Sequence, residues 1–117
     1  MKYLLMVYLD ESWDQRPLAE RQRVYLEQVQ ATDALAANGQ YLGGNPLHPP
    51  SSATTVRVRD GKRLLTDGPF AETREHLGGY MLIDVEDLDA AIAFATRAPL
   101  ARVGTIEVRP VREGPPA

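Results

Sequence analysis

Residues 2–9, KYLLMVYL, are rich in strand formers and apolar on both alternating faces, with Tyr3, Leu5, Val7 and Leu9 on one and Leu4, Met6 and Tyr8 on the other. Such a strand needs cover on both sides. Helices can supply one cover; the second has to come from elsewhere. The stretch begins as a secretory leader does, with one Lys before an apolar run. It is short, is interrupted by Asp10 and Glu11 and has no small-residue cleavage site, so it reads as a strand. Nothing in the chain approaches the roughly 20 apolar residues of a membrane-spanning helix.

After a polar loop at 10–16, Pro17 suits the first turn of a helix that runs to about Asn38, where Asn38-Gly39 supplies a left-handed stop. Tyr25, Val29 and Ala36, with Leu26 beside them, define its expected inner face; Glu20, Arg21, Arg23 and Glu27 define the solvated one. A weak strand at 40–47 precedes a clearer one at 53–60. Asp60-Gly61 is a two-residue hairpin signal leading into a return strand at 62–66. A strand at 77–85 carries Leu77, Met81, Ile83 and Val85 on one face and His76, Tyr80, Leu82 and Asp84 on the other. Asp87 caps a second helix with Leu88, Ala91, Ile92 and Ala95 inward, ended by Pro99. A final strand at 104–111 turns Ile106 and Val108 to the core.

With the hairpin set aside, the order is βαββαβ, an α+β ferredoxin-like sandwich with an inserted β-hairpin. A length of 117 residues fits one domain, assigned to 1–112, with an unstructured tail at 113–117. Two helices cover one face of such a sheet, which leaves Leu4, Met6, Tyr8 and Leu82 on the other. That uncovered face predicts a homodimer with the two sheets face to face.

A hydrophobic fraction of 44% and a charged fraction of 25% are those of an ordinary globular protein. The net charge of −3, without any Lys/Arg block, points away from nucleic acid and anionic membranes. The chain has no cysteine, which removes disulfides, thiolate catalysis and Cys-rich zinc sites and fits a cytoplasmic location. Its two histidines, His48 and His76, have no paired metal-ligand spacing, so neither a metal nor another cofactor is expected.

Chemistry concentrates in residues 66–80, TDGPFAETREHLGGY. Asp67-Gly68-Pro69-Phe70 reads as a turn, with Asp67 bonding nearby amides and Phe70 anchoring the corner in the core. The functional reading makes Asp67 a general base or ligand. Glu72, from the same loop, would be its carboxylate partner or the acid, and His76 a second proton carrier. By alternation His76, Tyr80, Tyr8, Glu107 and Arg109 face the space between the sheet and its dimer partner, and Arg74 or Arg109 would hold an anionic group. An interfacial Glu107–Arg109 ladder with no ligand and a solvated loop are the structural alternatives.

The opening MKYLLMVY, the run TDGPFAETREHLGGYMLIDVEDLDAAIAFA and the closing IEVRPV closely resemble the YCII-related proteins of the DGPF type. The resemblance covers nearly the whole chain. It implies a dimeric α/β barrel of ferredoxin-like protomers with a cleft at the dimer. It also implies an association with sigma factors of the extracytoplasmic-function type, and in the wider superfamily a His–Asp pair as the chemical core. Asp67 is the counterpart of that Asp; the first helix has no histidine, which leaves His76 to substitute. The expected function is a small cytosolic homodimer that binds a small polar metabolite near the DGPF loop, with acid–base chemistry of a lyase or isomerase kind. The alternatives are a non-catalytic accessory protein acting through a sigma factor, and a metal-dependent ring-fission or monooxygenase-like activity on the same fold, against whose metal form the two histidines argue.

Overall fold

The computed structural model describes residues 1–115. Of the expected tail, residues 116 and 117 lie outside the described residues, and 113–115 carry neither helix nor strand. Strand β1 (Lys2–Asp10) is followed by a short helix α1 (Glu11–Asp14), the long helix α2 (Leu18–Ala37) and β2 (Tyr41–Pro46). The hairpin strands β3 (Thr54–Arg59) and β4 (Lys62–Asp67) come next, then β5 (Glu75–Asp84), α3 (Leu88–Arg97), α4 (Leu100–Val103) and β6 (Thr105–Pro110). Four strands form an antiparallel sheet in the order β2-β5-β1-β6, and β3 pairs with β4 alone. This is the ferredoxin-like sandwich with a hairpin inserted between its second and third core strands.

Local chemistry fixes the corners. The Asp87 carboxylate accepts from the Ala90 amide at 2.9 Å and starts α3. Asp60 and Gly61 have φ of 51° and 73°, the left-handed pair that a two-residue hairpin turn of the right twist demands. Tyr3, Leu5, Val7 and Leu9 are buried under the helices with Met81, Ile83 and Val85. Leu4, Met6, Tyr8 and Leu82, on the other face, are half-buried. No helix among the described residues is long and apolar enough to cross a membrane.

Both long helices bury a different stripe from the one expected. In α2 the buried residues are Val24, Gln28 and Thr32, with Leu35 packed on the core, while Tyr25, Leu26 and Val29 are exposed. The inner face is thus displaced by one residue, about 100° around the axis. The reason is polar: Gln28 is satisfied inside, so a count of apolar residues alone picks the neighbouring stripe. In α3, Ala91 and Ala95 are buried as expected, but Phe94 fills the core, and Leu88 and Ile92 are each 47% exposed. The polar loop at 10–16 contains α1, and Pro99 is followed by α4.

Phe94→Ala should cost about 3–5 kcal/mol of unfolding free energy, and Ile92→Ala less than about 1 kcal/mol. Urea unfolding of the two variants checks this; equal losses would contradict the inner face described for α3.

Candidate functional site

Strand β5 follows β1 in regular antiparallel register from Asp84 opposite Lys2 to Gly79 opposite Val7. The register then shifts, and Leu77 stands opposite Tyr8, His76 opposite Leu9 and Glu75 opposite Asp10. Gly78 is the extra residue of a β-bulge. Side chains in a strand alternate with period two, so one inserted residue exchanges the faces of everything beyond it. His76 therefore joins Leu9 on the helix side, not Tyr80 on the open face as alternation predicts, and Leu77 takes the open side, 38% exposed. The bulge suits glycine: a Cβ at Gly78 would lie 2.7 Å from the Leu9 Cδ1.

On the helix side His76 meets Asp14. Its Nε2 is 3.4 Å from the Asp14 Oδ2, but both ring nitrogens are buried without a hydrogen-bond partner among the described residues. Unpaired buried polar atoms are uncommon and call for an explanation. Asp14 is held in place by α1, which Asp10 caps. The Asp10 carboxylate accepts from the Ser12 amide at 3.0 Å, the Ser12 hydroxyl at 2.5 Å and the Trp13 amide at 3.4 Å. The Ser12 hydroxyl, more than the backbone amides, holds the Asp10 pKa below its ordinary 3.8.

The pair opens onto a cavity of about 290 Å³ between α2 and the β2–β5 edge of the sheet. Trp13, Tyr25, Leu47 and Met81 supply apolar wall, and Arg21, Asn45 and Tyr41 supply polar groups. The Arg21 Nε donates to the Arg16 carbonyl at 3.0 Å, and Arg21 has no carboxylate partner among the described residues. Burial, with smaller contributions from Tyr25 and Tyr80, pushes the Tyr41 phenol up, so it stays a hydroxyl donor at neutral pH. Gln28 forms the back: its Nε2 donates to the Met81 sulfur at 3.4 Å and its Oε1 accepts from the Leu100 amide at 3.3 Å. Gly44 must stay bare, because a Cβ there would sit 2.5 Å from both the Tyr41 hydroxyl and the Tyr80 carbonyl oxygen.

The other residues expected to form a site are divided. Tyr8, Arg74 and Glu107 come together on the open face, in a groove of about 650 Å³ that Asp10, Thr73, Glu75 and Thr105 complete. Arg109 is paired with Glu107 at 2.5 Å, two residues away on the same strand β6 and so not across strands. Tyr80 accepts a hydrogen bond from the Asn45 amide nitrogen at 3.2 Å and also borders the cavity. Asp67 ends β4 opposite Thr54, and Glu72 lies exposed in the following loop; neither lines the cavity or the groove. The DGPF turn is held by backbone, with the Gly68 amide donating to the Ala53 carbonyl at 2.7 Å and Gly68 at φ 99°. Phe70 is 73% exposed and lies under the Arg57 guanidinium at 4.7 Å, outside the core where it was expected. Asp14, Arg21 and Tyr41 escaped the sequence reading. Asp10 as an N-cap, followed by the acidic first-turn residues Glu11 and Asp14, was the signal for α1.

The YCII-related domain family matches residues 1–114 of the chain. An uncharacterised protein of Rhizobium meliloti strain 1021 is 35% identical over 114 residues, 95% of this chain and 92% of that protein. Among solved structures, 5-chloro-2-hydroxyhydroquinone dehydrochlorinase from Burkholderia phenoliruptrix, in complex with 2,5-dihydroxybenzoquinone, superposes with a TM-score of 0.58. It is 15% identical, with 97% of this chain and 96% of that one covered, a likeness of fold.

Because the Asp10 pKa is lowered by folding, its contribution to stability is present above 3.8 and disappears as pH falls through the lower folded value. Trp13, the single tryptophan, sits in α1 and reports the cap. Acid titration followed by its emission should show a shift beginning below pH 3.8 in the wild type. Asp10→Ala should show the shifted emission already at pH 7; an unchanged spectrum would mean that α1 does not need its cap.

Proposed function

This chain belongs to the YCII-related family, and from the cavity around His76 we propose that it is an acid–base catalyst acting on a small, polar, anionic metabolite. The observation that carries the reading is a half-buried imidazole whose two nitrogens are buried and unpaired, facing a carboxylate in a cavity with one guanidinium that has no carboxylate partner among the described residues. A few polar groups converging in an apolar-walled pocket are the usual form of such a site.

The residues divide the work by position. With Nε2 turned to Asp14 and both ring nitrogens buried, a small turn of the His76 ring on ligand entry brings Nδ1 to the substrate. Nδ1 takes a proton from a substrate carbon or hydroxyl, and Asp14 orients the ring and stabilises the imidazolium that forms. Tyr41, kept protonated, donates to the oxygen on which charge develops. Arg21 holds a carboxylate or similar anion. Returning the proton to another atom makes the reaction an isomerisation; losing a leaving group makes it an elimination. The dehydrochlorinase that shares the fold is an eliminating enzyme by its name, which lends support to a proton-abstracting site here.

The protein works, in this reading, as a cytosolic homodimer with residues 1–112 as one domain. A half-buried apolar sheet face favours the dimer, and a cysteine-free chain suits a reducing compartment. Asp67 as base with Glu72 as its partner, Arg74 and Arg109 holding the anion, is the competing assignment. A regulatory protein acting through a sigma factor is the alternative function, and an open cavity favours the small molecule over it.

Trp13 lines the cavity, so entry of a ligand is read as quenching of its emission. Titration with 2,5-dihydroxybenzoquinone and small hydroxylated acids should find a binder. On the substrate so identified, His76→Gln should lower kcat by about 10²–10⁴-fold, with Asp14→Asn following it and Asp67→Asn and Glu72→Gln unchanged. The reverse ordering would move the chemistry to the DGPF loop.

A further inference from the structure

The β3–β4 hairpin stands apart from the body. It forms its own two-stranded sheet, and every residue from 54 to 67 except Thr55 is exposed. Its polar contacts are internal: the Thr55 hydroxyl donates to the Gly68 carbonyl at 2.8 Å, and Arg57 lies over Phe70. The radius of gyration, 16.2 Å, exceeds the roughly 13 Å of a compact chain of this length, as a projecting arm requires. Val56, Val58 and Leu65 share one face of the arm and are each more than half exposed. A lone two-stranded hairpin is marginal in water, and exposed apolar strands invite pairing. The sequence nonetheless gives this arm strong turn chemistry and strand formers, so its apolar face is built to be covered.

Charge identifies what covers it. The arm holds four of the thirteen basic residues, Arg57, Arg59, Lys62 and Arg63, and two of the sixteen acidic ones, Asp60 and Asp67. It is therefore +2, and the remaining nine basic and fourteen acidic residues make the body −5. The groove on the open sheet face is acidic on balance, with Asp10, Glu75 and Glu107 against Arg74 and the Arg109 that pairs with Glu107, and the half-buried Tyr8 in its wall leads to the apolar Leu4 and Met6. A polyanion such as a duplex would meet the arm but be repelled by the body; a second copy presents the acidic groove and an apolar sheet together.

We infer that the β3–β4 arm of each copy reaches past the sheet-to-sheet contact of a homodimer and closes over the partner's open-face groove, its basic tip against the acidic rim. Six residues per strand give a reach of roughly 20 Å. The exchange is reciprocal, as a two-fold interface requires. It rests on the homodimer proposed above and adds to it the element that clasps and the groove that receives it.

Hydrogen exchange of the full chain, read at residues 54–67 across a dilution series that spans the dimer-to-monomer transition seen by sedimentation, tests this. The arm's amides should exchange about tenfold or more slowly in the dimer than in the monomer. Arg57→Glu with Arg63→Glu should weaken the dimer about tenfold or more at low salt, and mixing this variant with one carrying Glu75→Arg and Glu107→Arg should restore it. If the chain dimerises while the arm exchanges equally fast in both states, the homodimer stands and the clasp is overturned. A chain that stays monomeric at every concentration overturns both. Protection of the arm by a DNA duplex instead of by raised protein concentration also overturns the clasp.

Discussion

Both faces of the sheet depend on the pairing of β1 with β5. β1 is hydrogen-bonded along both edges, to β5 and to β6, so its side chains form an inner row under the helices and an outer row on the open face. β5 matches those rows only as far as Gly79. Beyond it the extra Gly78 turns His76 inward and Leu77 outward. Had the strand run on without it, His76 would have stood over the groove with Arg74 and Glu107, and Leu77 would have closed the cavity. The position of one backbone unit therefore decides on which side of the sheet the imidazole lies.

Much of the frame was legible in the residues. The inner and outer rows of β1, the Asp60-Gly61 turn, the Asp87 cap and the inward Ile106 and Val108 all rest on local rules that tertiary packing did not override. The misreadings share a cause: each needed a fact about a neighbour. Gln28 is inside because Met81 and the Leu100 amide receive it, and Phe70 is outside, stacked with Arg57 of the hairpin and away from the core. His76 could not be placed without knowing that β5 bulges. Asp14 was hidden because a four-residue helix shows no periodicity, and its one sign is the Asp10 cap.

The cavity and the groove occupy opposite faces of the same end of the sheet. Leu9 and His76 face the cavity, while Tyr8 beside them faces the groove. Asp10 belongs to both: it borders the groove and caps the helix that carries Asp14 to His76. The DGPF turn, for all its ionisable residues, is chiefly a device of backbone geometry that joins the hairpin to β5.

Gln28 ties α2 to β5 and to the start of α4 through a single buried side chain, so the back of the cavity is shared by three elements and fixed by all of them. The front is different. Tyr25, Val29 and Leu47 line it from exposed positions that the core does not use. Exchanging front residues therefore alters what the cavity admits at little cost in folding, whereas a change at Gln28 disturbs three elements at once. The same architecture is in that sense a socket with a replaceable rim.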